Sequence, residues 1–111
     1  MVYDVIVGPI AQADISRNSS WWADNHSVQQ ALQWVDAVES QLATLDRDPE
    51  RCGYASENEF FAYPLRQLLV GLGNQRSYRA VFTIKQNEVH VLTIRRAAQD
   101  TITATELPKS I

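Results

Sequence analysis

LRQLLVGLGNQRSYRAVFTIKQNEVHVLTIRRAAQD, residues 65–100, holds the chain's densest strand pattern. Three runs rich in β-branched and aromatic residues, Leu65–Val70, Tyr78–Lys85 and Glu88–Arg95, predict three strands. GLGNQRS separates the first two, and Gln86-Asn87 forms a tight turn between the second and third. Period-two alternation in the middle strand puts Tyr78, Ala80, Phe82 and Ile84 on one side and Arg79, Val81, Thr83 and Lys85 on the other. The first set is the better core face. A two-residue turn sets Phe82 opposite Val91 and Thr83 opposite His90, so His90 shares the face of Arg79 and Lys85.

Upstream, Val2–Val7 is a short β-branched run closed by Gly8-Pro9, and a helix is expected from Ile10 toward Asn25. A second helix is marked by Ser27 with Gln30 as a capping box. Val28, Ala31, Leu32, Val35, Val38, Leu42 and Leu45 recur at helical spacing along it, and Pro49 sets its limit. Asp46 to Tyr63 is polar, has no period and reads as a loop. The order β-α-α-β-β-β predicts an α+β fold, two N-terminal helices packed on one face of a mainly antiparallel sheet. Its length of 111 residues has room for one domain, spanning residues 1–111.

Charge is distributed unevenly. Residues 1–63 carry ten carboxylates against Arg17, Arg47 and Arg51, a balance of −7, while residues 64–111 carry seven cations against three carboxylates, a balance of +4. The overall −3 therefore hides a basic region, and phosphate attraction depends on charges within about one Debye length, roughly 8–10 Å. Cys52 stands alone and cannot form an internal disulfide. No apolar run long enough for a signal or membrane span precedes Gly8-Pro9, so a cytoplasmic protein without membrane contact is expected.

Arg66, Arg79, Lys85, Arg95 and Arg96 are the candidate target- or RNA-binding residues, expected on an open sheet face. Guanidinium groups stay charged, grip phosphate in a bidentate manner and can stabilise charge developing during cleavage. Metal-free RNA cleavage also needs a proton acceptor and a proton donor near their working pKa. Within the basic half only Tyr78, Lys85, Glu88 and His90 offer that, which leaves Arg79 and His90 as the weak catalytic candidates. His26 is a capping-region residue rather than a catalytic one. No P-loop, GxGxxG, HExxH, paired CxxC or GxSxG motif occurs, so no cofactor or metal is expected.

Several short motifs, in order, resemble the RelE/ParE superfamily of toxins from bacterial type II toxin–antitoxin modules. They are LRQLLVG (65–71), Tyr78-Arg79 opening YRAVFTI, and VHVLTIRRAAQD (89–100). YDVIVGPIAQADI (3–15) is similar to the family's first strand and helix start, with Ala11 and Asp14 in matching places. The resemblance implies a small toxin held inactive by a cognate antitoxin whose tail wraps it, the pair binding operator DNA through the antitoxin. RelE-like members cut mRNA on the ribosome with basic sheet residues and a C-terminal catalytic side chain; ParE-like members poison DNA gyrase.

Carried over by position, Arg66 and Arg79 match places that are basic in many members. Arg96 stands where many ParE-like sequences have histidine, and Gln99 where they often have arginine. No Tyr or His follows Arg96, which places the chain nearer the ParE-like side. The expectation is a toxin that acts by binding a macromolecular target such as DNA gyrase, with the antitoxin covering the basic region. A ribosome-dependent mRNA endoribonuclease, metal-independent, is the first alternative. A non-toxic interaction or regulatory protein of the same fold is the second.

Overall fold

A computed structural model describes residues 2–74, 76–98 and 100–111. Strand β1 (Asp4–Val7) leads through Gly8 into helix α1 (Pro9–Asn25), which turns back into helix α2 (Val28–Ala43). Pro9 begins α1, where its missing N–H costs nothing, and the Ser27 hydroxyl accepts from the Gln30 amide to cap α2. A connector with three short 3-10 turns leads to β2 (Arg66–Val70), β3 (Tyr78–Lys85) and β4 (Glu88–Arg96). The sheet order is β1-β4-β3-β2. Antiparallel pairing joins β2 to β3 and β3 to β4, whereas β1 adds to β4 in parallel at the sheet's edge.

The α+β reading holds, and so does the register: Phe82 faces Val91 and Thr83 faces His90. Beyond that pair a bulge intervenes, since Val81 faces Thr93 and Leu92 is the extra residue. An inserted residue reverses the alternation of a strand. Val89, Val91 and Ile94 consequently all join the core under the helices, while Leu92 belongs to the opposite side.

Under the helices the core is built from Trp34, Val38, Leu42, Leu45, Val70, Tyr78, Ala80, Phe82, Val89, Val91 and Ile94. Two members of the expected α2 stripe, Val28 and Leu32, are instead 67% and 62% exposed. Ala31, Trp34, Val38 and Leu42 form the buried line, so the helix is rotated toward Trp34, which has no accessible surface. The larger ring removes more apolar area from water than Val28 or Leu32 would, and that difference sets the rotation.

The second sheet face is not open. Ala55, Leu65, Val81, Leu92, Ile102 and Leu107 form a second apolar cluster across it, flanked by Ile10, Phe61, Tyr63 and Ile111. The connector and the segment after β4 thus lie over the face expected to present arginines to a partner. Val81 and Leu92 are apolar and sit among the polar residues of that face, so leaving it in water would expose both. Cys52, expected in the loop, is 8% exposed, and burial pushes its thiol pKa up.

Candidate functional site

Arg79 is the most informative of the expected site residues. Its place on β3 directs it to the second face, where it is 4% exposed and paired with Glu57, itself 2% exposed. The guanidinium meets that carboxylate in a fork, Nη1 to Oε1 at 2.8 Å and Nη2 to Oε2 at 2.5 Å. It also donates to Gln67 Oε1 at 3.2 Å and to the Asp100 carbonyl at 2.9 Å. Glu57 in turn accepts from the Ile102 amide at 2.9 Å. These bonds tie β3, the connector and the C-terminal segment together and satisfy both terminal nitrogens of the guanidinium, while Arg79 Nε is buried without a partner among the described residues.

Arg95, opposite Arg79 in the ladder, performs a similar task nearer the surface. It reaches Asp100 Oδ1 at 3.0 Å and the Thr101 carbonyl at 3.2 Å, and it pairs with the Glu106 carboxylate. Arg66 donates to the carbonyls of Cys52 at 2.5 Å and Glu50 at 3.1 Å, with its guanidinium 4.3 Å from the Tyr54 ring centroid. Exposed Lys85 donates to the Ile111 main-chain oxygen. Four of the five expected binding cations therefore fasten the connector or the C-terminal segment to the sheet. The expectation of an open basic face is corrected accordingly.

Arg96 differs. It is exposed at the end of β4, its guanidinium carbon 4.7 Å from the Trp21 ring centroid and 5.8 Å from that of Tyr78. Among the described residues its side chain makes no hydrogen bond or ion pair. Gln99, the other position singled out by the resemblance, lies outside the described residues.

No cleavage constellation forms around Arg79. His90 shares a face with it as expected, but His90 sits opposite Thr83, four residues along β3, about 13 Å at strand rise. The His90 ring pairs with Glu88, Nε2 to Oε1 at 3.1 Å. Tyr78 is 2% exposed on the helix side, with its ring against Trp34. Among the described residues no group of three or more His, Cys, Asp or Glu is placed to hold a metal, and no helix is long and apolar enough to cross a membrane.

The roles of two neighbours of the site were not legible in the sequence, although Asp14 stands in a family-matching place. Glu57 lies in an aperiodic connector and gives no local signal. Asp14 sits on the buried line of α1 with Ala11, and its Oδ2 accepts from Thr93 Oγ1 at 2.5 Å and the Ile94 amide at 3.0 Å. A carboxylate on an apolar helix face and the family-matching place of Asp14 were the signs of that role.

The Arg79 fork, helped by the Ile102 amide and the Ser56 hydroxyl, holds the Glu57 pKa at about 2, below the usual 4.5. Arg95, with the Thr103 amide and hydroxyl, holds Glu106 at about 2 as well. A carboxylate with a depressed folded-state pKa contributes stability above its unfolded value and loses it as pH falls toward the folded one. The clasp is accordingly expected to be fully formed above pH 4.5 and to weaken from there toward pH 2. Thermal midpoints of the wild type and Glu57→Gln should differ at neutral pH and converge across that window. A gap that persists unchanged at pH 2 would show that the charge on Glu57 does not carry the effect.

Residues 5–101 match the family described as "ParE toxin of type II toxin-antitoxin system, parDE". The chain belongs to the ParE toxin family. A solved structure described as the chromosomal ParDE TA system from P. aeruginosa has the same fold, with a TM-score of 0.72 at 21% sequence identity. The match covers 86% of this chain and 96% of that one. No curated protein sequence matches significantly. As a ParE-family member the protein is a type II toxin, and the family implies a cognate antitoxin as its partner.

Within that family fold, one apolar cleft of about 470 Å³ opens between β1 and the helices, lined by Val5, Val7, Gln12, Ile15, Glu39, Leu42 and Ala43. Strand β1 forms its rim. The inner edge of β1 is bonded to β4, with Asp4 donating to Asn87 and Gly8 to Val91. Its outer edge lies between Tyr3, whose amide donates to Asp46, and Val7, whose carbonyl accepts from the Gln12 side chain. No other strand lies along that outer edge among the described residues.

Proposed function

We propose that this ParE-family toxin arrests growth in the cytoplasm by binding a macromolecular target, DNA gyrase being the first candidate, and that a cognate antitoxin neutralises it. The observation that carries this reading is the use to which the arginines are put. Arg66, Arg79 and Arg95 are engaged with the protein's own carbonyls and carboxylates, and the carboxylate beside Arg79, Glu57, is committed to the fork with its pKa held at about 2, far from that of a working acid or base. A ribosome-dependent nuclease would need its cations free for a bent phosphodiester and an acid and a base within hydrogen-bond reach.

The edge of β1 and its apolar cleft are the supported place for the antitoxin. An extended segment can add as a strand to the free edge while alternate apolar side chains enter the cleft beside Val5, Val7 and Ile15. That placement replaces the expected one on the basic face, which the protein covers itself. Contact with operator DNA then falls to the antitoxin.

Expression without antitoxin is expected to stop growth, raise DNA-damage signalling and trap gyrase–DNA cleavage complexes while protein synthesis continues. Prompt translation arrest with mRNA cut on ribosomes would overturn the binding mechanism in favour of the nuclease. Harmless strong expression would overturn both and leave an interaction protein.

A further inference from the structure

We infer that Arg96, with Trp21 and Tyr78, is a preformed docking point for a carboxylate-bearing segment of a partner protein. The site stands whatever the toxin's target. It begins with the end of β4, where the strand runs past β1 and delivers Arg96 against the last turns of α1. There the guanidinium lies 4.7 Å from the Trp21 ring centroid and 5.8 Å from that of Tyr78. Stacking on rings fixes the plane of a guanidinium and leaves its N–H edge for hydrogen bonds.

Both rings are themselves held. Tyr78 is 2% exposed and meets Trp34 edge-on at 5.1 Å, so one side of the platform is rooted in the core. Trp21 is 38% exposed yet braced by Trp22 at 5.6 Å and His26 at 5.5 Å. The platform therefore has little conformational freedom left to lose when a ligand arrives. Arg66 provides the internal comparison: it too lies over a ring, that of Tyr54, but its N–H groups are spent on Cys52 and Glu50. At Arg96 the same arrangement makes no such bonds among the described residues.

Two kinds of anion fit a guanidinium fork, carboxylate and phosphodiester, and the surroundings favour the first. Arg, Trp and Tyr are the side chains that concentrate binding energy in protein–protein interfaces, and the exposed part of Trp21 gives the anion an apolar flank. Asp24, three residues beyond Trp21 on the same side of α1, disfavours the dense, extended charge of a nucleic acid more than a single carboxylate seated on the Arg96 fork. Arg17, four residues before Trp21, adds a second cation, although it already pairs with Asp14 at 2.8 Å.

The test uses the isotope-labelled full chain and two probes at equal ionic strength: a short peptide with two adjacent glutamates beside a leucine, and a 20-base-pair DNA duplex. With the peptide, the Trp21 indole N–H and Arg96 Nε–H resonances should shift while those of buried Trp34 stay in place. Arg96→Ala should weaken that response about tenfold or more, and Arg96→Lys by less, since lysine keeps the charge but loses the fork. An unchanged thermal midpoint in both variants would show that the fold is intact. Shifts that persist in Arg96→Ala, tighter binding of the duplex at these same resonances, or no response to the peptide would each overturn the proposal.

Discussion

Arg79→Ala is expected to destabilise the protein by about 3–5 kcal/mol, the range for a buried ion pair that loses one partner. The loss comes less from the missing attraction than from what remains. Glu57 is 2% exposed, and without the fork its carboxylate is buried with only the Ile102 amide and the Ser56 hydroxyl as donors. The Asp100 carbonyl also loses its donor, so cleavage by protease within residues 97–111 should accelerate before global unfolding. Replacing both members, Arg79→Met with Glu57→Leu, should recover part of the loss, because an apolar pair leaves no buried charge although the Ile102 amide and the Asp100 carbonyl still lose their partners. Urea unfolding of the two single variants and the double variant measures all three quantities. A single-variant loss under about 1 kcal/mol would mean that the pair is solvated and does not fasten the C-terminal segment.

Asp14→Ala should cost on the order of 3 kcal/mol, since two buried donors lose their acceptor at once. Strand β1 ends at Val7, but β4 continues to Arg96, so the edge amide of Ile94 has no strand to receive it. Asp14 reaches from α1 to take that amide and the hydroxyl of Thr93, which has no accessible surface. The ion pair with Arg17 adds little, because the Arg17 side chain is 65% exposed. Asp14→Asn keeps one acceptor oxygen and should lose less than half as much. Chemical denaturation gives the totals, and hydrogen exchange at the Ile94 amide reports the local opening. Equal losses in the two variants would mean that negative charge, not the acceptor oxygen, holds α1 to β4.

Both residues show how far periodicity carries a reading of this chain. The three C-terminal strands, the Gln86-Asn87 turn and the Ser27 cap depend on neighbours within a few positions, and each was visible in the sequence. The Leu92 bulge was not, because an extra residue in an apolar run leaves the composition unchanged while reversing which residues face the helices. Val28 and Leu32 fit the helical period as well as Ala31 and Val38 do, and only competition with Trp34 for the core turned them outward.

The arginines make the sharper case. Regular spacing put Arg79 and Lys85 on one side of β3, and the structure agrees about the side. What that side faces depended on Glu57, twenty-two residues upstream, and on Asp100 to Glu106, a stretch with no period of its own. Charge arithmetic over residues 64–111 had counted those cations as available, yet most of them are neutralised or hydrogen-bonded within the chain.

By itself the sequence determined the order of elements, the antiparallel pairing of the last three strands, the facing of Thr83 by His90 and the family resemblance, because these rest on short-range preferences and local motifs. Tertiary structure alone decided that the second sheet face is covered, that Arg79 is an internal clasp and that Arg96 is left stacked at the surface. Those outcomes turn on which distant carboxylate or ring comes within bonding distance of each guanidinium, and no spacing along the chain encodes that.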